Sequence, residues 1–298
     1  MLKKMWAALM LCALLLCAPA FARELEITDM FGDVAVLEGP AERIVVLTAG
    51  ECEILYAIGA QEAIVGRGEY CNYPPEALEI PAVQSGFETN IEQIIALEPQ
   101  VVLTSSMNQT LEQIEQLKAA GIAVIQTQTG SIEDVYAAIR MIGQVTGKNA
   151  EAEALVASMQ GEFAELAQLA AQQEPLTIYY EISPLEWGLW TGGEQTFMHE
   201  IGALLGLQNI FGELTGWAEV SAEQVISRDP QVVITTMMPF SEEYTPVEEI
   251  LGRTGWQGVR AIRDGRVYAT DSDSFTRPGP RLALAARELY EAIWGTAE

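Results

Sequence analysis

The residue types that most often carry catalytic chemistry are scarce in this sequence. His199 is the only histidine, so two-imidazole zinc sites are excluded, and a Ser-His-Asp triad would have to use this one residue. Its place at the start of a predicted helix favours a surface or capping role over haem or iron ligation. The sequence also lacks G-x-S-x-G, a P-loop and G-x-G-x-x-G. These absences favour binding over catalysis.

Two cysteines, Cys52 and Cys71, remain once the first 22 residues are set aside, and both follow predicted strands. Three roles are open for the pair: a disulfide, contact with a metal complex, or inert packing, because free cysteine is commonly buried. No ligand set for a metal ion stands out elsewhere. We therefore expect no metal site of the protein's own and no resident cofactor.

Charged residues are strongly unbalanced. Sixteen Lys and Arg face 42 Asp and Glu, for a formal net charge of −26 over 298 residues, which argues against a nucleic-acid partner. Apolar residues make up 49% of the chain, enough for a packed core. Because cations are scarce, Arg67, Arg277 and Arg281 are candidate contacts for carboxylate or phosphate groups of a ligand. For Arg281, an ion pair within the first turn of the last helix is an equal alternative.

The first 22 residues have the pattern of a secretory signal peptide. Two lysines precede an apolar run over 5–18, and a small-residue cleavage pattern ends at Ala22. A transmembrane anchor is the alternative, but the run is short for a bilayer. Cys12 and Cys17 each follow a leucine, which fits a lipoprotein motif poorly. We expect an exported, extracytoplasmic protein.

The chain contains an internal repeat. Residues 91–105 read IEQIIALEPQVVLTS, and residues 222–236 read AEQVISRDPQVVITT. A capping residue, Asn90 or Ser221, precedes each copy and has a glutamine three residues later, which is the capping-box spacing. Two helical turns, a proline and a β-branched strand follow. The copies are too far apart for a solenoid, so the repeat predicts two similar lobes.

Strands and helices alternate around the repeat, which predicts an α/β fold with mostly parallel sheets covered on both faces. A hairpin is predicted over 24–40, and apolar residues at helical spacing predict one long helix over 149–173. Other predicted strands are 43–47, 63–65, 123–125, 177–180 and 266–269, and other predicted helices are 51–58, 111–120, 132–145, 196–205 and 280–293. The predicted division is a signal peptide (1–22), an N-terminal lobe (23–147), a linking helix (148–174) and a C-terminal lobe (175–298).

Five segments share the order and spacing of a known family. They are RIVVLTAGECEILYAIGA (43–60), YCNYPPEA (70–77), TNIEQIIALEPQVVLTS (89–105), LKAAGIAVI (117–125) and VSAEQVISRDPQVVITT (220–236). Together they resemble the helical-backbone periplasmic binding proteins of ABC importers for iron–siderophore, haem and cobalamin. The resemblance implies two Rossmann-like α/β lobes joined by one backbone helix, with the ligand cleft between the lobes.

The resemblance also implies a permease-docking role for one acidic residue at the tip of each lobe. In this sequence the role falls on Glu92 and Glu223, the equivalent acids of the repeat, which would face arginines of the permease. An acid in the first helical turn also offsets the helix dipole, and that alternative stays open. The implied partners are an ABC permease with its ATPase, and the receptor itself is expected to be monomeric.

In such folds the ligand lies at the carboxyl ends of the strands, so the loops 48–52 and 271–281 are expected to reach it. Tyr70 falls where cobalamin-binding relatives place a ligand-contacting tyrosine, and Phe87 lies close to an aromatic position of theirs. For each aromatic residue, ordinary packing is the alternative. The predicted ligand contacts are Arg67, Tyr70, Phe87, Met107, Trp187, Trp190, Asp273, Phe275, Arg277 and Arg281.

The function that follows is capture of a chelated metal complex and its delivery to a permease. The match at Tyr70 leans toward a corrinoid, whereas Arg277 and Arg281 lean toward an anionic ferric complex. Two other classes remain as alternatives: an exported two-lobed enzyme of the chelatase or glycosyltransferase kind, and a ligand sensor without a permease.

Overall fold

The structure, a computed structural model, describes residues 24–86, 88–105, 109–128, 130–237 and 244–295. The predicted signal peptide, residues 1–22, lies outside the described residues. None of the described helices has both the length and the apolar content needed to cross a bilayer.

A five-stranded parallel sheet is the centre of the first lobe. The strands of this part of the chain are β1 (Leu25–Thr28), β2 (Val34–Leu37), β3 (Ile44–Val46), β4 (Ile64–Gly68), β5 (Ala82–Val83), β6 (Val101–Ser105) and β7 (Ala123–Thr127). The sheet order is β5-β4-β3-β6-β7, and β1 and β2 form the predicted antiparallel hairpin. All three residues of β3 are fully buried, as expected for a central strand covered on both faces.

The helices of the first lobe lie within two residues of their predicted ends. They are α1 (Ala49–Ala57), α2 (Ile91–Ala96), α3 (Leu111–Ala119) and α4 (Ile132–Thr146). Capping boxes begin α3, at Thr110, and α4, at Ser131, so the side chains satisfy backbone N–H groups that the helix leaves unpaired. Gly147 ends α4 in a left-handed conformation with φ of 71°.

One long helix, α5 (Asn149–Ala170), links the lobes. Its 22 residues span about 33 Å, and it ends three residues before the predicted position. The buried face carries Met159, Phe163 and Leu166 at helical spacing, as the apolar pattern predicts. The helix therefore packs along its length and is not a free linker.

The second lobe repeats the architecture with fewer strands. Its elements are β8 (Thr177–Glu181), β9 (Leu189–Gly192), α6 (Phe197–Leu204), β10 (Gln208–Asn209), β11 (Trp217–Val220), α7 (Ala222–Arg228), β12 (Val232–Thr235), α8 (Pro246–Gly252), α9 (Arg260–Arg263), β13 (Val267–Ala269), α10 (Ser272–Thr276) and α11 (Leu282–Trp294). The parallel sheet has the order β10-β8-β12-β13. A separate antiparallel pair, β9 with β11, was not predicted.

The internal repeat appears as two equivalent helix–strand units, α2–β6 and α7–β12. The Asn90 and Ser221 side chains both accept a hydrogen bond from the backbone N–H three residues on. Each helix is followed by an acidic residue with φ of 47°, Glu98 in one copy and Asp229 in the other. The repeat is thus reproduced down to its backbone conformation.

One of the apolar core clusters extends through both lobes. The cluster that contains Val46 of the first sheet and Ile178 of the second also contains Phe163 of α5 and Leu289 of α11. Burial of this shared surface holds the lobes together in addition to the covalent link. The prediction of two α/β lobes joined by one backbone helix is confirmed.

Candidate ligand-binding cleft

A cavity of about 410 Å³ lies between the two lobes. The first lobe contributes residues that end or follow parallel strands: Thr48 after β3, Tyr70 after β4 and Ser105 at the end of β6. These positions are the carboxyl ends of the strands, where open α/β sheets bind ligands. The second lobe contributes the following residues: Ser272, Asp273, Thr276, Arg277 and Pro278. Both predicted loops, 48–52 and 271–281, therefore supply residues to the lining.

A second cavity of about 370 Å³ adjoins the first and shares Ser272 and Thr276 with it. Its other described lining residues are Ile182, Trp217 and Thr236, so the described lining of this cavity comes from the second lobe. The Trp217 ring is fixed by an edge-to-face contact with Phe197, at 5.7 Å between ring centres. Cavities of about 500 and 520 Å³ lie on the first lobe and share no described lining residue with the cavity between the lobes.

Sequence reasoning did not single out Trp217. Its sequence context, LTGWAEV, precedes a helix cap and carries no ligand-binding pattern. The residue reaches the cleft because β11 pairs with β9, and short antiparallel pairs give a weak sequence signal. Ser85 was not predicted, and Thr276 was predicted only as part of the loop 271–281, because isolated hydroxyl residues are common in loops.

Glu51 is a buried carboxylate of the first cavity. The residue is 2% exposed, and it lines the cavity together with Thr48. The hydroxyl of Thr48 donates to Oε2, and the hydroxyl of Thr127 donates to Oε1.

Arg277 and Arg281 form an ionic cluster between the lobes and are not free for an anionic ligand. We name this cluster, which also contains Glu53, Asn72, Asp271 and Asp273, the interlobe clasp. Arg281 donates to both Glu53 oxygens, from Nε at 2.9 Å and Nη2 at 2.7 Å. Arg277 lies 2.7 Å from Asp273 and 3.6 Å from Glu53. The hydrogen bond to Glu53 raises the pKa of Arg281 above its ordinary value.

The clasp engages both of the arginines that are predicted to contact a ligand. Arg281 does not line the cavity, and its guanidinium stacks 4.1 Å from the Tyr73 ring centre. Arg277 does line the cavity, but two carboxylates share its charge. The pairing within the last helix, the alternative for Arg281, is replaced by a pairing across the lobes.

The backbones of the two lobes touch beside the clasp. A Cβ atom placed on Gly50 would lie 2.4 Å from the carbonyl oxygen of Pro278, closer than real Cβ contacts come. Gly50 is therefore required by this close approach. The TAGEC loop and the Pro-Gly-Pro turn meet at this point.

The predicted aromatic contacts separate into three groups. Tyr70 lines the first cavity and is 74% exposed. Trp187 and Trp190 are exposed but line neither interlobe cavity. Phe275 is fully buried and stacks on Tyr180, so its prediction as a ligand contact is wrong: its helix turns the ring into the core.

Three further predictions concern residues away from the described lining. Phe87 and Met107 lie outside the described residues. Arg67 is buried and lines neither interlobe cavity. Its guanidinium donates to the carbonyls of Gly68 and Glu69, at 3.1 and 3.3 Å, in the loop that leads to Tyr70. The hydrogen bonds of Arg67 are thus made to this loop, and its contact with a ligand stays a prediction.

Cys52 and Cys71 are free thiols, and both are fully buried. A hydrogen bond to Cys52, together with burial, raises the pKa of the Cys71 thiol. Of the three roles left open for Cys52 and Cys71, the structure supports inert packing, because the two thiols form no disulfide and both are buried. His199 is half-buried, and its ring Nδ1 lies 3.4 Å from the Asn209 amide. Across the described ranges, no group of three or more His, Cys, Asp or Glu could hold a metal ion.

Glu92 and Glu223 occupy the same position in the repeat, two residues after the helix cap, and both are exposed. Hydrogen bonds from the backbone N–H of Glu223 itself and from the Ser221 hydroxyl lower the pKa of the Glu223 carboxyl. Both acids sit at the start of rigidly capped helices, one in each lobe.

Comparison with known proteins places this geometry in context. The sequence matches the family model described as "Periplasmic binding protein" over residues 44–274. An uncharacterized ABC transporter substrate-binding lipoprotein of Bacillus subtilis (strain 168), YvrC, is 31% identical over 310 residues, covering 97% of this chain and 96% of that protein. A vitamin B12-binding protein of Pectobacterium carotovorum is 28% identical, covering 85% and 88% of the two chains.

A solved structure has the same fold. The periplasmic heme-binding protein RhuT from Roseiflexus sp. RS-1, in apo form, is 26% identical, with a TM-score of 0.75. The match covers 85% of this chain and 98% of that chain.

Proposed function

The chain belongs to the periplasmic binding protein family, and we propose that it is the extracytoplasmic receptor of an ABC importer for a chelated metal complex. The family and the relatives are binding proteins of ABC transporters, so the chain is not an enzyme, as predicted. The alternative of an exported chelatase or glycosyltransferase is thereby removed. The bound species would be the transported ligand and not a resident cofactor.

The observation that carries the proposal is the cleft with walls from both lobes. Its two adjoining cavities, of about 410 and 370 Å³, are in the size range of small-molecule sites. Tyr70 on one lobe and Trp217 near the other present flat aromatic faces, which suit a large planar chelate. The names of the relatives, vitamin B12-binding and heme-binding, support a corrinoid, haem or ferric siderophore as ligand.

Export and docking complete the proposal. A signal peptide over residues 1–22 would carry the chain out of the cytoplasm, and the lipoprotein relative supports an extracytoplasmic location. Glu92 and Glu223 would dock the loaded receptor on permease arginines, since exposed acids at fixed positions suit charge-assisted contacts. The ATPase would then drive release of the ligand.

Ligand capture is tested by titrating the purified protein with cyanocobalamin, haemin and ferric siderophores and following tryptophan fluorescence. We expect saturable one-to-one binding of one class. Trp217→Phe should remove most of the fluorescence change, whereas the control Trp187→Phe, an exposed residue outside both cavities, should retain it. Absence of binding across the panel would refute the receptor for a metal chelate.

Docking is tested by Glu92→Lys/Glu223→Lys in a reconstituted transport assay with the cognate permease. We expect transport to be lost while ligand affinity stays unchanged. Glu112→Lys is a matched control, because Glu112 is also exposed and also lies two residues after a helix cap. Normal transport by the double variant would refute docking through these two acids.

A further inference from the structure

We propose that Glu51 is a ligand-binding carboxylate that selects neutral or cationic chelates bearing N–H donors and rejects anionic ones. This inference deepens the proposed function and rests on it. Three features of the structure support it: the environment of Glu51, the charge of the remaining lining, and the absence of the capping hydrogen bond that the sequence position of Thr48 suggests.

The hydrogen bonds of Glu51 leave part of its acceptor capacity unused. Only 2% of the residue is exposed to solvent, yet it lines the interlobe cavity. Thr48 and Thr127 each donate one hydrogen bond to the carboxylate. A carboxylate has about four lone-pair positions, so about half of its capacity remains for a ligand. No Lys, Arg or His within the described ranges forms an ion pair with it.

The remaining lining does not offset this charge. Asp273 is a second carboxylate, and Arg277 is the one cation among the lining residues that the structure describes. Asp273 lies 2.7 Å from Arg277, so these two charges cancel and Glu51 is left over. An anionic ligand would therefore meet an uncompensated negative charge.

Hydroxyl groups make up most of the other polar lining. They come from the following residues: Thr48, Ser85, Ser105, Ser272 and Thr276. Hydroxyls donate or accept as required and do not distinguish ligands by charge. The Glu51 carboxylate only accepts hydrogen bonds, so it is the group that distinguishes ligands by their charge. Carboxamide groups and protonated amines on a chelate satisfy it, whereas ligand carboxylates and catecholates do not.

A purely structural role for Glu51 would be that of a capping-box residue. Thr48-Ala49-Gly50-Glu51 has the sequence spacing of a capping box at the start of α1. However, the Thr48 side chain makes no cap hydrogen bond to the helix backbone. Its hydroxyl instead donates to the Glu51 carboxylate. The motif is therefore used to hold the carboxylate in the cavity wall.

Glu51→Gln tests the proposal, because it removes the charge and keeps the shape. The probes are cationic ferrioxamine B, amide-rich cyanocobalamin, haemin with its propionates, and strongly anionic ferric enterobactin. Affinities are measured by isothermal titration calorimetry. The variant should bind the preferred neutral or cationic probe about 10-fold to 100-fold more weakly, since a hydrogen bond to a charged group is lost. Anionic probes should bind equally well or better.

The outcomes separate the inference from the function on which it rests. Glu112→Gln, an exposed acid outside the cleft, should change no affinity. Preference of the unmodified protein for haemin or ferric enterobactin would overturn the inference while supporting the receptor. Equal weakening of all probes by Glu51→Gln would also overturn it, because this indicates a structural role. Failure of every probe to bind the unmodified protein would refute the proposed function and the inference together.

The proposal can be tested even if the Glu51→Gln variant does not fold. Circular dichroism and the thermal midpoint identify a misfolded Glu51→Gln protein. In that case Glu51→Asp, which retains the charge, should keep the order of probe affinities while lowering all of them. A reversed order in Glu51→Asp, or an anionic preference in the unmodified protein, would overturn the proposal.

Discussion

The interlobe clasp should make a large and measurable contribution to stability. The Glu53 side chain is 3% exposed, and those of Arg281 and Arg277 are 14% and 12% exposed, so the charges are largely removed from water. Removal of one partner from a buried ion pair costs about 3–5 kcal/mol, because the other charge is left uncompensated. In Glu53→Gln each arginine keeps one carboxylate, Asp271 at 3.2 Å or Asp273 at 2.7 Å. We therefore expect a loss near the lower end, about 3 kcal/mol.

Differential scanning calorimetry converts this loss into a shift of the melting temperature. A loss of 1 kcal/mol lowers the midpoint by about 2–4 °C for a large domain, so Glu53→Gln should lower it by roughly 6–12 °C. The control is Glu153→Gln, which breaks the ion pair between Glu153 Oε1 and Arg140 Nε at 3.0 Å. The Glu153 side chain is 61% exposed and that of Arg140 is 36% exposed. Surface ion pairs contribute about 0–1 kcal/mol to stability, so the melting temperature of the control variant should change little. Equal shifts in the two variants would refute the reasoning that the clasp is a buried ionic link.

Two further predictions concern other parts of the molecule. The backbone N–H and the guanidinium of Arg260 lower the pKa of Asp229 below its ordinary value. This carboxylate therefore stabilises the fold above its ordinary pKa, and the effect is lost as the pH falls through the lowered pKa. Asp229→Asn should reduce stability at pH 7 and flatten the acid dependence of stability, measured by urea unfolding between about pH 7 and pH 3. Cys52 and Cys71 are buried thiols, so iodoacetamide should label them only after unfolding, as read by peptide mass mapping, and rapid labelling of the folded protein would contradict their burial.

Local sequence patterns predicted most of the fold. Several signals involve only residues that are close together in the sequence, so they can be recognised without the structure. They are the capping glutamines of the repeat, Gly147 at the end of α4 and the apolar face of α5. The exceptions are short elements, such as β9 with β11, whose pairing joins residues distant in sequence. The same limit explains why Trp217 was missed.

The candidate site was predicted at the level of loops and only in part at the level of residues. The loops 48–52 and 271–281 reach the cavity because parallel strands end at one edge of a sheet. Sequence could not tell which side of α10 faces the core, and Phe275 lies on that side. Nor could it show that Arg67 contacts backbone carbonyls.

By itself the sequence determined the export pattern, the acidic balance, the two-lobed repeat and the family, because each depends on composition or on local order along the chain. Only the tertiary structure decided what the charged residues of the cleft do. Glu53 and Arg281 lie in different lobes, yet their side chains pair at 2.7 Å, and this pairing removes the expected cation from the ligand site. Glu51 is left as the unpaired charge for the same reason. Charges interact according to distance in space, and that distance is set by folding.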